Sequence, residues 1–296
     1  MEGGVEFWLG AAFVDTHEFV PLAEGAERFG YDVIAVSDHI FYTDYQASYP
    51  YSETGAPPYE PGTHWPDVWV TIGAMAAVTH RVRFATNVYV APARDLFTVA
   101  KAVSTAAVLS HDRTIFGVGV GWCEDEFRQT GQDFRTRGRR LDEMIPALQE
   151  LWKGGTVEHH GAAYDFGPLS IAPVPTEPVP IYIGGDSDAA LRRAARIGDG
   201  WIGNRIYRED ALAALLDRLS GFLAEQGRTL DDLKVIAPIR AMPSADLYRR
   251  WAERGVNGTM AAPWWLATDE ERRRYDGLDL KLATMERFAA EVMAEM

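Results

Sequence analysis

Cysteine is nearly missing. Cys123 is the only one in 296 residues, which excludes an internal disulfide and a multi-cysteine metal centre and fits a reducing, cytoplasmic compartment. Basic residues are also scarce: 29 Lys and Arg stand against 43 Asp and Glu, for a net charge of −14. A generic polyanion binder needs a basic face, so neither nucleic acid nor an acidic membrane surface is an expected partner. No apolar run approaches the roughly 20 residues of a membrane span. The start, Met1-Glu2-Gly3-Gly4, lacks the basic residues and apolar stretch of a secretion signal. There is no HExxH, no Cys/His ligand spacing and no G-x-S-x-G elbow, so neither a metal site nor a serine nucleophile is expected. Adjacent His159 and His160 suit a turn better than one metal ion. No linker, repeat or low-complexity tract interrupts the chain, and residues 1–296 read as one domain.

What is present is ordinary globular composition, 47% hydrophobic and 24% charged, in which short β-branched or aromatic runs alternate with helical stretches. Strands are expected at residues 5–13, 32–38, 82–88, 113–120, 179–183, 200–203, 233–239 and 256–261. Helices are expected at 17–29, from Pro66 as first helical residue to 79, at 96–109 with Asp95 as cap, at 140–152, 187–197, 211–226 and 245–254, and near 281–295. Pro146 falls inside the helix at 140–152 and is expected to kink it. Residues 157–166 read as a hairpin turning at His160-Gly161. Residues 39–65 show no periodicity and form a long loop, whose Tyr42, Tyr45, Tyr49, Tyr51 and Tyr59 favour a packed lid. Eight strand–helix units match a parallel (β/α)8 TIM barrel better than an open doubly wound sheet.

In such a barrel, chemistry sits where strands end. The second strand ends in Ser37-Asp38-His39. Histidine titrates near neutrality and can move a proton, whereas Asp38 needs hydrogen bonds if buried; a loop cap is the alternative reading of both, and position alone weighs the two evenly. The third ends in Thr86-Asn87-Val88, where Asn87 is out of place in a strand and marks either a bulge or a site. Arg94-Asp95 then reads most simply as a helix start. The fourth runs into Gly117-Val118-Gly119-Val120-Gly121-Trp122, which is not the dinucleotide fingerprint but permits close backbone approach to a flat ligand; tight packing explains it equally. The fifth ends in Gly184-Gly185-Asp186-Ser187 at a helix start, either an anion site or a capped turn. Phe41, Trp65, Trp122 and Trp264 are candidates for an apolar substrate wall, with ordinary packing as the alternative for each.

In this order the pieces resemble the bacterial luciferase-like superfamily of flavin- and deazaflavin-dependent oxidoreductases, most of all the branch that uses coenzyme F420. The likeness spans residues 33–204, densest at Asp38-His39, residues 86–106, the strand-four glycines with Glu126-Phe127, Ile183-Gly184-Gly185 and Asp199-Gly200-Trp201. It implies a TIM barrel holding an isoalloxazine-type ring in its mouth, and a non-prolyl cis peptide at Asn87–Val88 bulging under that ring. It implies that Thr86, Asn87, Val88, Gly119 and Gly121 surround the cofactor, that Gly184, Gly185, Asp186 and Ser187 bind its phosphate, that Asp38 lies near the ring's polar edge, and that His39 stands where substrate arrives. Some F420-dependent sugar dehydrogenases have a catalytic glutamate just after the strand-four glycines; Trp122 stands there instead, so sugar oxidation is not implied. Hydride transfer between F420 and a small organic substrate is the first expectation. An FMN-dependent monooxygenase is the alternative, and a non-catalytic flavin-binding protein a second alternative. Arg192 and Arg193 are candidates to offset the acidic charge near the phosphate, or else surface charges. The resemblance implies a homodimer; Leu282, Met285, Phe288 and Val292 either meet a partner or cover the barrel.

Overall fold

The computed structural model describes residues 4–43, 49, 50, 52 and 54–296; Tyr45 and Tyr51 of the long loop lie outside them. Eight short strands close a parallel barrel: β1 (Glu6–Gly10), β2 (Val33–Val36), β3 (Arg83–Thr86), β4 (Thr114–Val118), β5 (Ile181–Gly184), β6 (Gly200–Ile202), β7 (Lys234–Ile236) and β8 (Gly258–Ala261). They run in the spatial order β1-β8-β7-β6-β5-β4-β3-β2. Every strand is shorter than the run expected for it. All residues of β2, β4 and β5 are buried, as expected of parallel strands covered on both faces.

The barrel interior is filled by Trp8, Val33, Ala35, Ala85, Ile115, Tyr182, Ile202 and Ile236, one or two from each of seven strands. Trp8 and Tyr182 stack with centroids 5.8 Å apart. A packed floor of this kind leaves the strand ends, not the bore, free for ligands.

The surrounding helices are α1 (Phe19–Phe29), α2 (Val68–Ala76), α3 (Leu96–Leu109), α4 (Glu124–Gln129), α5 (Arg137–Trp152), α6 (Asp188–Ile197), α7 (Glu209–Ala224), α8 (Ala245–Ala252), α9 (Asp269–Arg274) and α10 (Gly277–Glu291). α5 runs on through Pro146 and buries Leu141, Met144, Ile145, Leu148, Leu151 and Trp152 on one face. The hairpin pairs Val157–His160 antiparallel with Asp165–Leu169.

Three expectations change. Pro66 is not the first residue of α2; Asp67 caps the helix, its Oδ1 accepting from the amides of Trp69 and Val70 at 3.0 Å each, and an acceptor at that position ends the search for orphan N–H partners. α9 was not foreseen, although Thr268 and Glu271 form the reciprocal capping box that starts it. α10 starts four residues early. Its Met285, Phe288 and Val292 are buried within this chain, Phe288 standing 6.0 Å from Phe7 and Tyr31 Oη donating to Met285 O at 3.2 Å. That face covers the barrel.

Candidate active site

The strand ends open into a cavity of about 990 Å³. Asp38, His39, Asn87, Val88, Gly119, Gly121, the turn from Gly184 to Ser187, Trp65 and Trp122 all line it. Thr86, Phe41 and Trp264 are not among the described residues that do. The Thr86 hydroxyl is buried and donates to Gly117 O at 2.6 Å, tying β3 to β4. Trp264 packs on the core, and its neighbour Trp265 faces the cavity instead.

His39 is held by a residue far along the chain. Its Nδ1 lies 2.9 Å from Glu126 Oε1, and the same oxygen accepts the Ile40 amide at 2.8 Å. Glu126 is 1% exposed and comes from α4, just past the glycines that follow β4. A carboxylate only accepts, so the proton on Nδ1 is assigned by this bond and Nε2 is the nitrogen left for chemistry. Trp65, Tyr59 and Trp122 ring the imidazole, with centroids at 4.7, 5.6 and 5.7 Å.

Asp38 does find the partners that burial demands. Arg94 binds it in a two-pronged pair at 2.7 Å per contact, and the Val90 amide donates to Oδ2 at 2.9 Å. Arg94 is therefore not simply a helix start. Burial pushes the Asp38 carboxyl above its ordinary range against the pull of Arg94 and the Val90 amide. Burial works to lower the Arg94 pKa, but Asp38 outweighs it and the guanidinium is held charged.

The peptide between Asn87 and Val88 is cis, as the resemblance implied. Val88 then fills the space that two glycines leave. A Cβ at Gly119 would stand 2.6 Å from Val88 Cγ2, and one at Gly184 would overlap Val88 Cγ1. Both glycines thus make room for the Val88 side chain, and both still line the cavity. Gly185 differs: its φ of +112° is a left-handed conformation that glycine adopts freely, and it turns the chain into α6. Ser187 caps that helix by accepting the Ala190 amide at 3.3 Å.

The arginines in the cavity wall are not the expected ones. Arg193 is buried against Asp142, Nε to Oδ1 2.9 Å, and Arg192 pairs with Glu225; neither lines the cavity. Arg137, Arg205 and Arg240 do. Arg205 pairs with Asp186. Arg137 donates to Gly121 O and Phe134 O, at 3.2 and 2.8 Å, and lies 3.7 Å over the Phe134 ring. It has no ion-pair partner among the described residues, and burial pulls its pKa down. Sequence reading missed these residues because Arg205 and Arg240 stand in loops and Arg137 on the first turn of α5, where no periodic signal marks them. Cys123 is buried, its thiol pushed up to about 11 by burial, and is absent from the described cavity wall.

Residues 5–295 match the luciferase-like monooxygenase family. The chain belongs to that family. An uncharacterised protein of Mycobacterium tuberculosis is 32% identical over 296 residues, covering 99% of this chain and 100% of its own. An F420-dependent glucose-6-phosphate dehydrogenase of Nakamurella multipartita is 29% identical over 286 residues, 94% of this chain and 76% of its own. Among solved structures, the coenzyme F420-dependent tetrahydromethanopterin reductase of Methanopyrus kandleri superposes with a TM-score of 0.76 at 14% identity, over 99% of each chain; that likeness speaks for the barrel alone. No described helix of this luciferase-like protein is long and apolar enough to cross a membrane.

Proposed function

We propose that this luciferase-like protein is an oxidoreductase that transfers a hydride between coenzyme F420 and a small organic substrate at the barrel mouth. The observation that carries the reading is that the His39 imidazole and the turn from Gly184 to Ser187 line one cavity, with Val88 packed against Gly184. F420-dependent relatives add to it.

The residues fit an anionic, planar cofactor. Val88 offers an apolar bulge for a ring to rest on. The capped start of α6 offers amide donors to a phosphate. Arg137, which has no ion pair among the described residues and feels Glu124 only at a distance, offers positive charge to an acidic chain of net −14. Asp38, a lining residue, and Arg94 form a fixed polar pair. Bound F420 would supply the hydride chemistry. The chain's own contribution is position, exclusion of water by the aromatic side chains around His39, and an Nε2 that takes up or returns the proton accompanying the hydride, an effect of about 10²–10⁴-fold.

The test is a panel of carbonyl, imine and activated-alkene substrates mixed with reduced F420, following its reoxidation. The wild type reoxidises F420 with at least one class. His39→Ala loses that turnover while retaining cofactor binding. Equal turnover in the variant removes the role given to His39; binding without turnover across the panel favours a flavin-binding protein instead.

A further inference from the structure

The charges in the cavity wall do not cancel. Each lining carboxylate has a partner: Asp38 has Arg94, Glu126 has His39 and Asp186 has Arg205. Two lining arginines, Arg137 and Arg240, have no ion-pair partner among the described residues. Arg137 sits beside Gly121 and is the one assigned above to the cofactor's negative charge. Arg240 lies elsewhere, in the loop after β7, its amide donating to Tyr207 O at 2.7 Å.

That loop is the middle of an arc built from β6, β7 and β8, which are neighbours in the barrel. The same arc exposes large apolar side chains at the rim: Ile206 is 64% exposed, Met242 78% and Trp265 59%. Ile206 and Trp265 also line the cavity, and exposed apolar side chains at its mouth offer a surface for an apolar ligand. From Trp265 a run of ring contacts leads inward through Phe13 at 6.3 Å and Trp65 at 5.4 Å to His39 at 4.7 Å. Phe13 holds its ring in this run from a left-handed backbone, φ +61°, which a bulky residue rarely adopts.

Resting on the catalytic site proposed above, we propose that the substrate is an amphipathic carboxylate. Its ring-built apolar body lies along Trp265, Phe13 and Trp65 with the reacting carbon toward His39, and its carboxylate meets Arg240. Arg240 and the apolar rim thus set specificity, and a small hydrophilic anion does not satisfy both.

Isothermal titration calorimetry at low ionic strength tests this with 2-naphthoate, its neutral analogue 2-naphthamide, benzoate and glucose 6-phosphate. The protein is saturated with F420, or used without it if F420 does not bind, so failure of the cofactor reading is seen separately. We expect 2-naphthoate to bind about three- to fivefold tighter than 2-naphthamide, the scale of one exposed ion pair. It should bind about tenfold tighter than benzoate, from the added buried ring. Arg240→Gln erases the first ratio and keeps the second; Trp265→Ala shrinks the second and keeps the first. The proposal is overturned if acid and amide bind equally to the wild type, or if Arg240→Gln keeps the acid preference. It is likewise overturned if benzoate or glucose 6-phosphate binds as tightly as 2-naphthoate, or if none of the probes binds.

Discussion

Glu126 Oε1 lies 2.9 Å from His39 Nδ1, joining residues 87 positions apart in the chain. The pair fixes which imidazole nitrogen faces the cavity. Glu126→Ala is predicted to leave both the ring and the Ile40 amide without an acceptor, costing about 1–3 kcal/mol of stability, read as a lowered denaturation midpoint. Glu126→Gln keeps an acceptor, so it should fold with little loss yet reduce turnover about ten- to hundredfold through a less firmly oriented ring. Full turnover in Glu126→Gln would show that His39 needs no charged partner.

Val88 and Gly184 test the floor of the site. Gly184→Ala places a methyl into Val88 Cγ1, and overpacking of this sort costs about 1–3 kcal/mol. Urea denaturation should show the loss, and cofactor titration a weakened affinity. Adding Val88→Ala to the same chain should recover most of the stability. A single Gly184→Ala variant as stable as wild type would mean that the two strand ends are not in contact.

One acid transition can be assigned. Burial raises the Glu143 pKa, but the amides of Tyr164 and Ala163 and the His159 ring together hold it below the ordinary carboxylate value. A group depressed in the folded state contributes stability above its unfolded pKa, about 4.3, and loses it as pH falls through the folded value. The 157–169 hairpin should therefore loosen on α5 as pH drops below about 4. Amide exchange protection at Ala163 and Tyr164 reports it, and Glu143→Gln should flatten that pH dependence.

Regular elements were legible where patterning and caps agree. Asp95 accepts the Phe97 and Thr98 amides and starts α3 at Leu96, where the apolar spacing places it. The strand-ending motifs were legible too, since barrel topology alone brings Asp38-His39, Asn87-Val88 and Gly184-Gly185 to one rim. Partners were not. Arg94 and Asp38 are 56 positions apart, and nothing local distinguishes Arg94 from a helix-start arginine. Arg193 looked available because it follows the α6 cap, but one helical face turns it onto Asp142. Trp264 and Trp265 are adjacent, and only the 3-10 turn at Pro263–Leu266 decides which one meets the cavity. The sequence left Gly119 open between ligand approach and tight packing, and Gly184 between an anion site and a capped turn; that Val88 packs against both was not legible.

The most direct test is titration of the purified protein with F420 and, separately, with FMN, reading affinity from the change in cofactor fluorescence. Saturable binding of F420 in preference to FMN is predicted, weakened about tenfold or more by Arg137→Gln, the scale of a charge-assisted bond to phosphate. Tight binding of FMN with none of F420 would contradict the account.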